Sequence, residues 1–355
     1  MSLEGSIQTG TPDWGEWDDL VTACPWGSFY HTSANLELIS RFTGAELRFL
    51  TIRDVNGLSA GLAWCEFQGA LGDVANALAF FGSYGEAISR PDLPPQALLP
   101  LYSHLVQDCR ERGLAALTVI TSPFASHPHA AWLAESLAPP IVDNRICQIT
   151  PLPDCRQMTD SEAEEAVMKI IDGKARTSVR RAHKDGVVVR LASSAEEVLQ
   201  VAALHQANIG GKGGRSKPTS FFTSVWEQPE AGGRVVVADW DGRVIGGVIF
   251  FEACGAVEYH TTGMDMEQRT LAPLNAIIFQ QMVQAARRGV RSFNFGGTWK
   301  SQEGVYRFKA SFGAKDQPYR YLTWVFEQGL LSLRAEQLGQ AYPMAFVVPY
   351  DRLTC

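Results

Sequence analysis

Cysteine is scarce in this chain of 355 residues: there are seven, and no two have the Cys-x-x-Cys spacing. This pattern favours a reduced, cytoplasmic protein with buried thiols. No apolar run approaches the ~18 residues that cross a bilayer, and the first residues lack the basic and apolar parts of a signal peptide. His127 and His129 have no nearby Cys, Asp or Glu to complete a ligand set. We therefore expect no membrane span and no metal site.

Positive charge is in the minority, with 31 Lys and Arg against 38 Asp and Glu and a formal charge of −7. A protein that binds nucleic acid over its whole surface would usually be basic, so any contact with a polyanion must be local. Hydrophobic residues make up 46% of the chain, which excludes general disorder. At roughly 100–200 residues per domain, the length predicts two domains.

The order of predicted elements recurs in the two halves of the chain. Each half contains a strand, a tight turn and a buried strand, namely 46–53, 54–57 and 58–67 in the first half and 234–239, 241–242 and 244–251 in the second. Each half then has a helix that starts near prolines and ends at a basic residue and a glycine, followed by a buried strand. The helices are 96–112 and 273–288, and the strands are 114–120 and 290–295.

Hairpins followed by a helical crossover predict a mixed sheet with flanking helices, which is an α+β fold. The topology resembles the acetyltransferase (GNAT) fold, used twice. We expect an N-terminal GNAT-like module at 1–155, a C-terminal GNAT-like module at 156–330 and a tail at 331–355, with the join in the polar, proline-bearing stretch 151–160.

Three motifs, in the correct order, resemble those of the FemAB-like acyltransferases. The C-terminal signature is represented by Phe293-Asn294-Phe295-Gly296, Gly304, Phe308-Lys309 and Phe312-Gly313. The basic segment 173–190 is similar to the one that opens the family's second domain, and Tyr84-Gly85 is similar to its P-Y-G-G motif. The resemblance covers most of the chain, from about Ser28 to Tyr321.

The chain departs from the family pattern at two places. Asn294 stands where the F-D-F-G motif has an acidic residue. Between Asp160 and Val187 there is room for one helix only, so we expect the long two-helix arm of some members to be missing or vestigial.

The resemblance implies that Lys309 contacts the phosphate or the reacting carbonyl of the substrate. An ammonium is a compact charge that suits either task, and the alternative is a solvated lysine on an amphipathic helix. Tyr259 is the second candidate catalytic residue, since its hydroxyl could orient a substrate, whereas His260 could take a proton. Because neighbouring strand residues face opposite ways, at most one of the two points into a given pocket. The structural alternative for Tyr259 and His260 is an aromatic side chain packed in the core.

The candidate substrate-binding residues include the one concentrated basic segment. Arg176 and Arg180 are four residues apart and share a helix face, which suits a diphosphate or a tRNA backbone, although a solvated helix face is the alternative. The aromatic candidates could stack on a base or a sugar, or could be ordinary cleft walls. The remaining candidates are Tyr84, Asn275, Trp299, Tyr306 and Phe308.

The phosphate-binding loop of acetyl-CoA enzymes, Q/R-x-x-G-x-G/A, is lacking. Neither equivalent loop, 82–95 or 263–273, has that spacing, which counts against a standard acetyl-CoA enzyme. The glycine-rich stretch 210–214 is either a loop that covers the substrate or a plain connector. The chain also has no Walker loop and no Gly-x-Ser-x-Gly elbow.

The first functional hypothesis is therefore a transferase that moves an acyl or aminoacyl group onto an amine. The resemblance implies a peptide-sugar precursor of the cell envelope, such as a peptidoglycan precursor, as acceptor and aminoacyl-tRNA as donor, with no cofactor required. One alternative is a coenzyme A-dependent N-acetyltransferase with an atypical loop and acyl-CoA as donor. The other is a non-catalytic module that binds nucleotide-sugars or tRNA.

Overall fold

The computed structural model describes residues 7–78, 83–125, 127–210, 216–298, 302–349 and 353, without the side chains of 127–130. The chain divides into two compact units. The first comprises Met1–Ile146 with Gln317–Cys355, and the second comprises Cys147–Asp316.

The strands of the described residues are, in chain order, β1 (Ile7–Thr9), β2 (Glu46–Asp54), β3 (Gly57–Phe67), β4 (Val74–Ala77), β5 (Ile88–Ser89), β6 (Ala116–Ile120), β7 (Ile141–Pro151), β8 (Val188–Leu191), β9 (Gly233–Trp240), β10 (Arg243–Ala253), β11 (Ala256–Met264), β12 (Ser292–Thr298) and β13 (Lys315–Val325). The α-helices are α1 (Trp14–Ala23), α2 (Ser33–Thr43), α3 (Leu99–Glu111), α4 (His127–Leu137), α5 (Asp160–Ile170), α6 (Gly173–Lys184), α7 (Ala195–Gly210), α8 (Thr219–Glu227), α9 (Pro273–Arg287), α10 (Glu303–Ser311) and α11 (Ala335–Ala341). Among the described residues, no helix has the length and apolar character that a membrane span needs.

Each unit is built on a mixed sheet with flanking helices, as predicted. In the first unit the strand order is β1-β2-β3-β4-β6-β13, with β5 beside β3, and β4 and β6 are parallel. In the second unit the order is β7-β12-β11-β10-β9-β8, and β11 and β12 are parallel. The α+β prediction is therefore confirmed.

Both predicted hairpins form. β2 pairs with β3 and β9 pairs with β10, each in antiparallel register. In the second hairpin Asp241 and Gly242 both have positive φ, 52° and 72°. Two such residues make the turn whose twist matches that of paired strands, which is why Asp-Gly is a strong hairpin signal.

The two predicted crossover helices are confirmed as α3 and α9, and each is followed by a left-handed glycine. Gly113 has φ 73° and Gly289 has φ 79°. Glycine adopts this conformation without steric cost and ends the helix there. The parallel strands β6 and β12 follow directly.

The second unit has helices on both faces of its sheet. One face packs on α5, α6 and α9, and its core includes Phe250, Phe293 and Phe312. The other face packs on α7 and α8. Gly247 lets α7 approach closely, because a Cβ atom there would lie 2.2 Å from Cγ2 of Val201.

The stretch between Asp160 and Val187 holds two helices, so the expectation of a single helix is wrong. Thr159 caps α5 in a capping box with Glu162, and Asp172 caps α6. A two-residue break between the two helices is enough, because each N-cap side chain satisfies backbone N–H groups of its own helix. Both helices pack on α9, so they are part of the core of the second unit.

The division of the chain also differs from the predicted modules. Residues 317–355 belong to the first unit, because β13 pairs with β6 and the segment after it packs there. Asn76 accepts a hydrogen bond from the backbone N–H of Phe346 at 2.9 Å, and Gly72 O accepts one from the hydroxyl of Tyr342. The predicted boundaries, 155 and 330, followed loop composition, which does not report strand pairing.

Candidate active site

The strands β11 and β12 of the second unit run side by side for a short distance only. Their parallel ladder joins Ala256–Glu258 to Ser292–Asn294, yet β11 continues to Met264 and β12 to Thr298. Two residues after the end of the ladder, His260 forms a β-bulge, since Tyr259 pairs with Phe250 and Thr261 pairs with Ile249. Beyond the ladder, the backbone polar groups on the facing edges of β11 and β12 need other partners.

Lys309 provides such partners for the end of β12. Its ammonium donates to Gly296 O at 3.3 Å, to Gly297 O at 3.0 Å and to the Thr298 hydroxyl at 2.7 Å. The residue is 7% exposed, so the expected alternative of a solvated lysine is wrong. Burial lowers the pKa of Lys309 to about 8, while the charge interaction with Cys147 acts in the opposite direction. The side chain is therefore mainly an ammonium at pH 7, held in a fixed position by three oxygens.

A buried chain of hydrogen bonds supports the carbonyls that hold Lys309. Asn294 Oδ1 accepts from the Cys147 thiol at 2.9 Å and from the N–H of Gly296 at 2.8 Å. Asn294 Nδ2 donates to Glu258 Oε2 at 2.7 Å. Cys147, Glu258 and Asn294 are each 1% exposed. The network fixes the left-handed turn at Gly296, where φ is 73°.

This network explains why Asn294 replaces the acidic residue of the family motif. Asparagine donates through one atom and accepts through the other, whereas an ionised aspartate only accepts. Asn294 donates to the buried carboxyl group of Glu258, which an ionised aspartate could not do. Glu258, Cys147 and Thr298 were not predicted from the sequence, because these residues are brought together only by strand pairing and by α10.

Tyr259 and His260 contact different neighbours, as strand alternation predicted. The Tyr259 ring lies 5.9 Å from Phe250 and 5.4 Å from Phe295, in the aromatic part of the core. Burial raises its pKa, so it is a neutral phenol at pH 7. The ring of His260 lies 5.1 Å from Phe251, and its Nδ1 is 2.8 Å from the Thr261 hydroxyl.

A second buried lysine, Lys217, lies on the side of His260. Its ammonium is 5.7 Å from the centroid of Phe221, whose ring is in turn 5.5 Å from that of His260. Its backbone N–H donates to His205 Nε2 at 3.2 Å. Lys217 was not predicted as a site residue, because a lysine followed by a proline after a glycine-rich stretch has the pattern of a surface loop.

Of the other predicted substrate-binding residues in the second unit, Asn275 lies on α9, and Tyr306 and Phe308 lie on α10. Tyr306 donates from its hydroxyl to Asp316 at 3.2 Å. Phe308 packs on Phe312 with 5.5 Å between ring centroids, and Asn275 is half-buried in the first turn of α9. Trp299, the residues 211–214 of the glycine-rich stretch and the side chains of His127 and His129 lie outside the described residues.

Tyr84 belongs to the first unit and is a core residue there, contrary to its predicted role in substrate binding. It is 1% exposed. Its ring packs edge-on against Tyr30 at 4.8 Å and Phe124 at 5.9 Å. A side chain enclosed in this way is not open to a substrate.

The predicted basic segment has two kinds of residue. Arg176 donates to Met168 O at 3.2 Å and to Ile171 O at 2.9 Å, so it caps the C-terminal end of α5. Arg180 is exposed on α6, together with Arg181. The exposed pair is therefore available to an anion, whereas Arg176 stabilises the fold. Among the described residues, no group of three or more His, Cys, Asp and Glu could hold a metal ion.

Comparison with known proteins identifies the fold. Residues 173–310 match the family described as the acetyltransferase (GNAT) domain, and this range includes Lys217, His260, Asn294 and Lys309. No curated protein sequence matches the chain.

Three solved structures are similar over nearly the whole chain. FemX is 14% identical with a TM-score of 0.70, over 91% of this chain and 98% of that chain. The C-terminal domain (DUF2156) of a putative lysylphosphatidylglycerol synthetase from Agrobacterium fabrum is 14% identical with a TM-score of 0.57, over 94% and 98%. A tandem GNAT protein from the clavulanic acid biosynthesis pathway is 14% identical with a TM-score of 0.55, over 90% and 99%. The fold is thus a tandem GNAT fold, and at the level of fold the resemblance to the FemAB-like proteins is confirmed.

Proposed function

We propose that this chain is an N-acyltransferase, which transfers an acyl or aminoacyl group from an activated donor to an amine and so forms an amide. The observation that carries this proposal is the position of the Lys309 ammonium within the part of the chain that matches the GNAT domain. It lies at the end of β12, beyond the residues of this strand that pair with β11. Attack of an amine on a carbonyl places negative charge on the carbonyl oxygen, and a fixed ammonium stabilises that charge. The contact of Lys309 with Gly296 O is its longest, at 3.3 Å, so it is the one that an oxyanion would replace.

The first candidate reaction uses aminoacyl-tRNA as donor and a peptide-sugar precursor of the cell envelope as acceptor. It is supported by the FemAB-like motifs, by the likeness to FemX and by the exposed Arg180 and Arg181 on α6. Exposed arginines on a helix suit the phosphates of a tRNA. Such a donor, like the five buried cysteine thiols among the described residues, is consistent with a cytoplasmic reaction.

The second candidate reaction is transfer of an acetyl group from acetyl-CoA, which the match to the GNAT domain family favours. The start of α9 argues against it, because Pro273 has no N–H and the N–H of Asn275 already donates to Ala272 O. Fewer backbone donors are then left for a pyrophosphate at this helix start. A non-catalytic module that binds nucleotide-sugars or tRNA is the third candidate.

The test measures binding and turnover with the same ligands. Acetyl-CoA, bulk tRNA and a UDP-linked muramyl peptide are added separately in thermal-shift assays, where ligand at 100 times its Kd adds about 2.7 kcal/mol. Amide formation is then followed by mass spectrometry with acetyl-CoA or aminoacyl-tRNA as donor. We expect turnover that falls in Lys309→Met and is kept in Lys315→Met, a control at an exposed lysine of β13. Binding without turnover by the wild-type protein would refute the enzymatic proposal.

A further inference from the structure

Lys309 and Thr298 form a hydrogen bond of fixed direction at the end of β12. The distance from Nζ of Lys309 to the Thr298 hydroxyl oxygen is 2.7 Å, the shortest of the three contacts of this ammonium. An ammonium only donates, so the threonine oxygen is the acceptor in this pair. The hydroxyl has one proton of its own, which must therefore point away from Lys309. The pair has the order of a proton relay, in which the ammonium donates to a hydroxyl and the hydroxyl donates onward.

The turn that carries this hydroxyl has open space beside it. Thr298 is the last residue of β12 and is 8% exposed, and no atom of the described part of the chain accepts a hydrogen bond from its hydroxyl. A Cβ atom built at Gly296 would meet no described atom within 4 Å, and Gly297 is exposed. A substrate therefore has room to approach the end of β12 and to accept the proton of Thr298.

The pair is held in place by the backbone on which it sits. Asn294 Oδ1 accepts from the N–H of Gly296 at 2.8 Å and so fixes the turn before Thr298, while Gly297 O accepts from Lys309 at 3.0 Å. Proton transfer requires that the two groups be held within hydrogen-bond distance, and this pair fulfils that condition. Burial also lowers the pKa of Lys309 to about 8, which makes its ammonium a stronger acid than that of an ordinary lysine.

The need for such a relay depends on the atom that leaves the donor. A thiol ionises at about pH 8.5, so a thiolate leaves a thioester without help from an acid. An alcohol holds its proton far more tightly, as water does with a pKa of about 15.7, so an ester oxygen needs a proton while its bond to the carbonyl carbon breaks. An aminoacyl-tRNA is an ester of a ribose hydroxyl. A relay therefore suits this donor and brings little advantage with an acyl-CoA.

We propose that Thr298 relays a proton from the Lys309 ammonium to the leaving oxygen of an ester donor. This inference rests on the proposed function and deepens it, because it assigns an oxygen ester as the donor. The amine nitrogen forms the C–N bond, and the bond between the carbonyl carbon and the ester oxygen breaks. The leaving oxygen takes the hydroxyl proton of Thr298, and Thr298 takes a proton from Lys309. The proton that the new amide nitrogen loses passes through water to Lys309 and restores its charge.

The first experiment offers the same aminoacyl group on two leaving atoms, as the ester of tRNA and as the thioester of coenzyme A. The acceptor is the UDP-linked muramyl peptide, and single-turnover rates are measured with the complete chain. Thr298→Val keeps a side chain of similar shape and removes the hydroxyl. This variant should slow the ester reaction by about 10²–10⁴-fold, the usual contribution of a positioned acid, and should slow the thioester reaction much less.

Further measurements test the hydroxyl itself. Thr298→Ser keeps the hydroxyl and should keep most of the wild-type rate with the ester. Thr9→Val, at an exposed threonine of β1, is the matched control and should behave as wild type. The relay moves two exchangeable protons, so the ester reaction of the wild-type protein should be slower in D2O, a measurement that needs no variant. This isotope effect should be smaller in Thr298→Val.

The outcomes separate the two proposals. If the wild-type protein turns over the ester but Thr298→Val keeps its rate, or slows both donors equally, only the relay is refuted. The same conclusion follows if only the thioester turns over, or if the ester reaction has no isotope effect. If the ester alone turns over, a slow Thr298→Ser with an isotope effect unchanged in Thr298→Val refutes the relay. If the wild-type protein turns over neither donor, the proposed function fails and the relay fails with it.

Discussion

Replacing Asn294 by aspartate tests the buried network beneath Lys309. In the wild-type protein Asn294 Nδ2 donates to Glu258 Oε2 at 2.7 Å, and both residues are 1% exposed. Aspartate has no donor there unless it is protonated. The variant therefore places two carboxyl groups within hydrogen-bond distance, and one of them must keep its proton for the folded state to form.

The magnitude follows from the cost of that proton at neutral pH. Two carboxyls that share a site raise one pKa by several units, and a rise of about 2 units costs about 2.7 kcal/mol at pH 7. Because the pKa is raised in the folded state, this loss is absent below the unfolded value of about 4 and grows as pH rises through the interval between the two values. Asn294→Asp should thus be least stable at pH 7 and should recover towards pH 4.

The free energy of unfolding, measured with urea between pH 4 and 7, checks this expectation. The double variant Asn294→Asp with Glu258→Gln should regain most of the stability, because glutamine then donates to the new aspartate. Asn56→Asp, in the exposed turn of the β2–β3 hairpin, controls for the added charge. The reasoning would be refuted if Asn294→Asp were as stable as wild type at pH 7, or if the double variant were no more stable than Asn294→Asp.

The remaining predictions concern Lys309 and the arginines. Lys309→Met should lower kcat by about 10²–10³-fold, since the loss of one oxyanion donor costs about 2.7–4 kcal/mol of barrier, and an unchanged kcat would contradict the role. Because the pKa of Lys309 is lowered from 10.5 to about 8, kcat should fall above pH 8 as the ammonium is lost. The unfolded state binds more protons between these values, so the lysine's contribution to stability should rise over that interval, as urea unfolding at pH 8 and 10 would report. Arg176→Ala should destabilise the protein by about 1–3 kcal/mol through two lost carbonyl contacts, with little effect on tRNA affinity. The double variant Arg180→Ala with Arg181→Ala should instead weaken tRNA binding and reduce its salt dependence, with little effect on stability. If this double variant and Arg176→Ala changed tRNA affinity equally, the separation of binding from structural arginines would be wrong.

Much of the fold follows from short-range patterns. The turn residues Asp241 and Gly242 adopt the positive φ values that their types tolerate, and the hairpin around them forms where predicted. The glycines 113 and 289 end their helices for the same local reason. Such signals depend on a residue and its near neighbours, so the sequence is sufficient to find them.

The division of the chain and the number of helices between residues 160 and 187 were predicted less well than the turns. Capping by Asp172 separates α5 from α6 within a stretch that was expected to hold one helix. Residues 331–355 were predicted to be a separate C-terminal tail, although Tyr342 and Phe346 contact Gly72 and Asn76, more than 250 residues earlier. Pairing over such a distance leaves no periodic trace in either segment.

The candidate site shows the same limit at the level of single residues. The family motif identified Lys309 from its local sequence, and alternation along β11 correctly separated Tyr259 from His260. The predicted roles of Tyr84 and Arg176 depended on exposure. Exposure is a property of the packed molecule, and both residues have structural contacts.

The sequence by itself determined the α+β fold and the repeated order of elements, and it singled out Lys309 of the signature motif as a candidate, because turn chemistry, periodicity and motif spacing are local. Only the tertiary structure decided which groups are buried together. Strand register places Glu258 opposite Asn294, and the packing of α7 and α8 on the sheet places Lys217 beside His260. Since proton affinity depends on desolvation and neighbouring charge, the lowered pKa values of Lys217 and Lys309 arise only when the chain is folded.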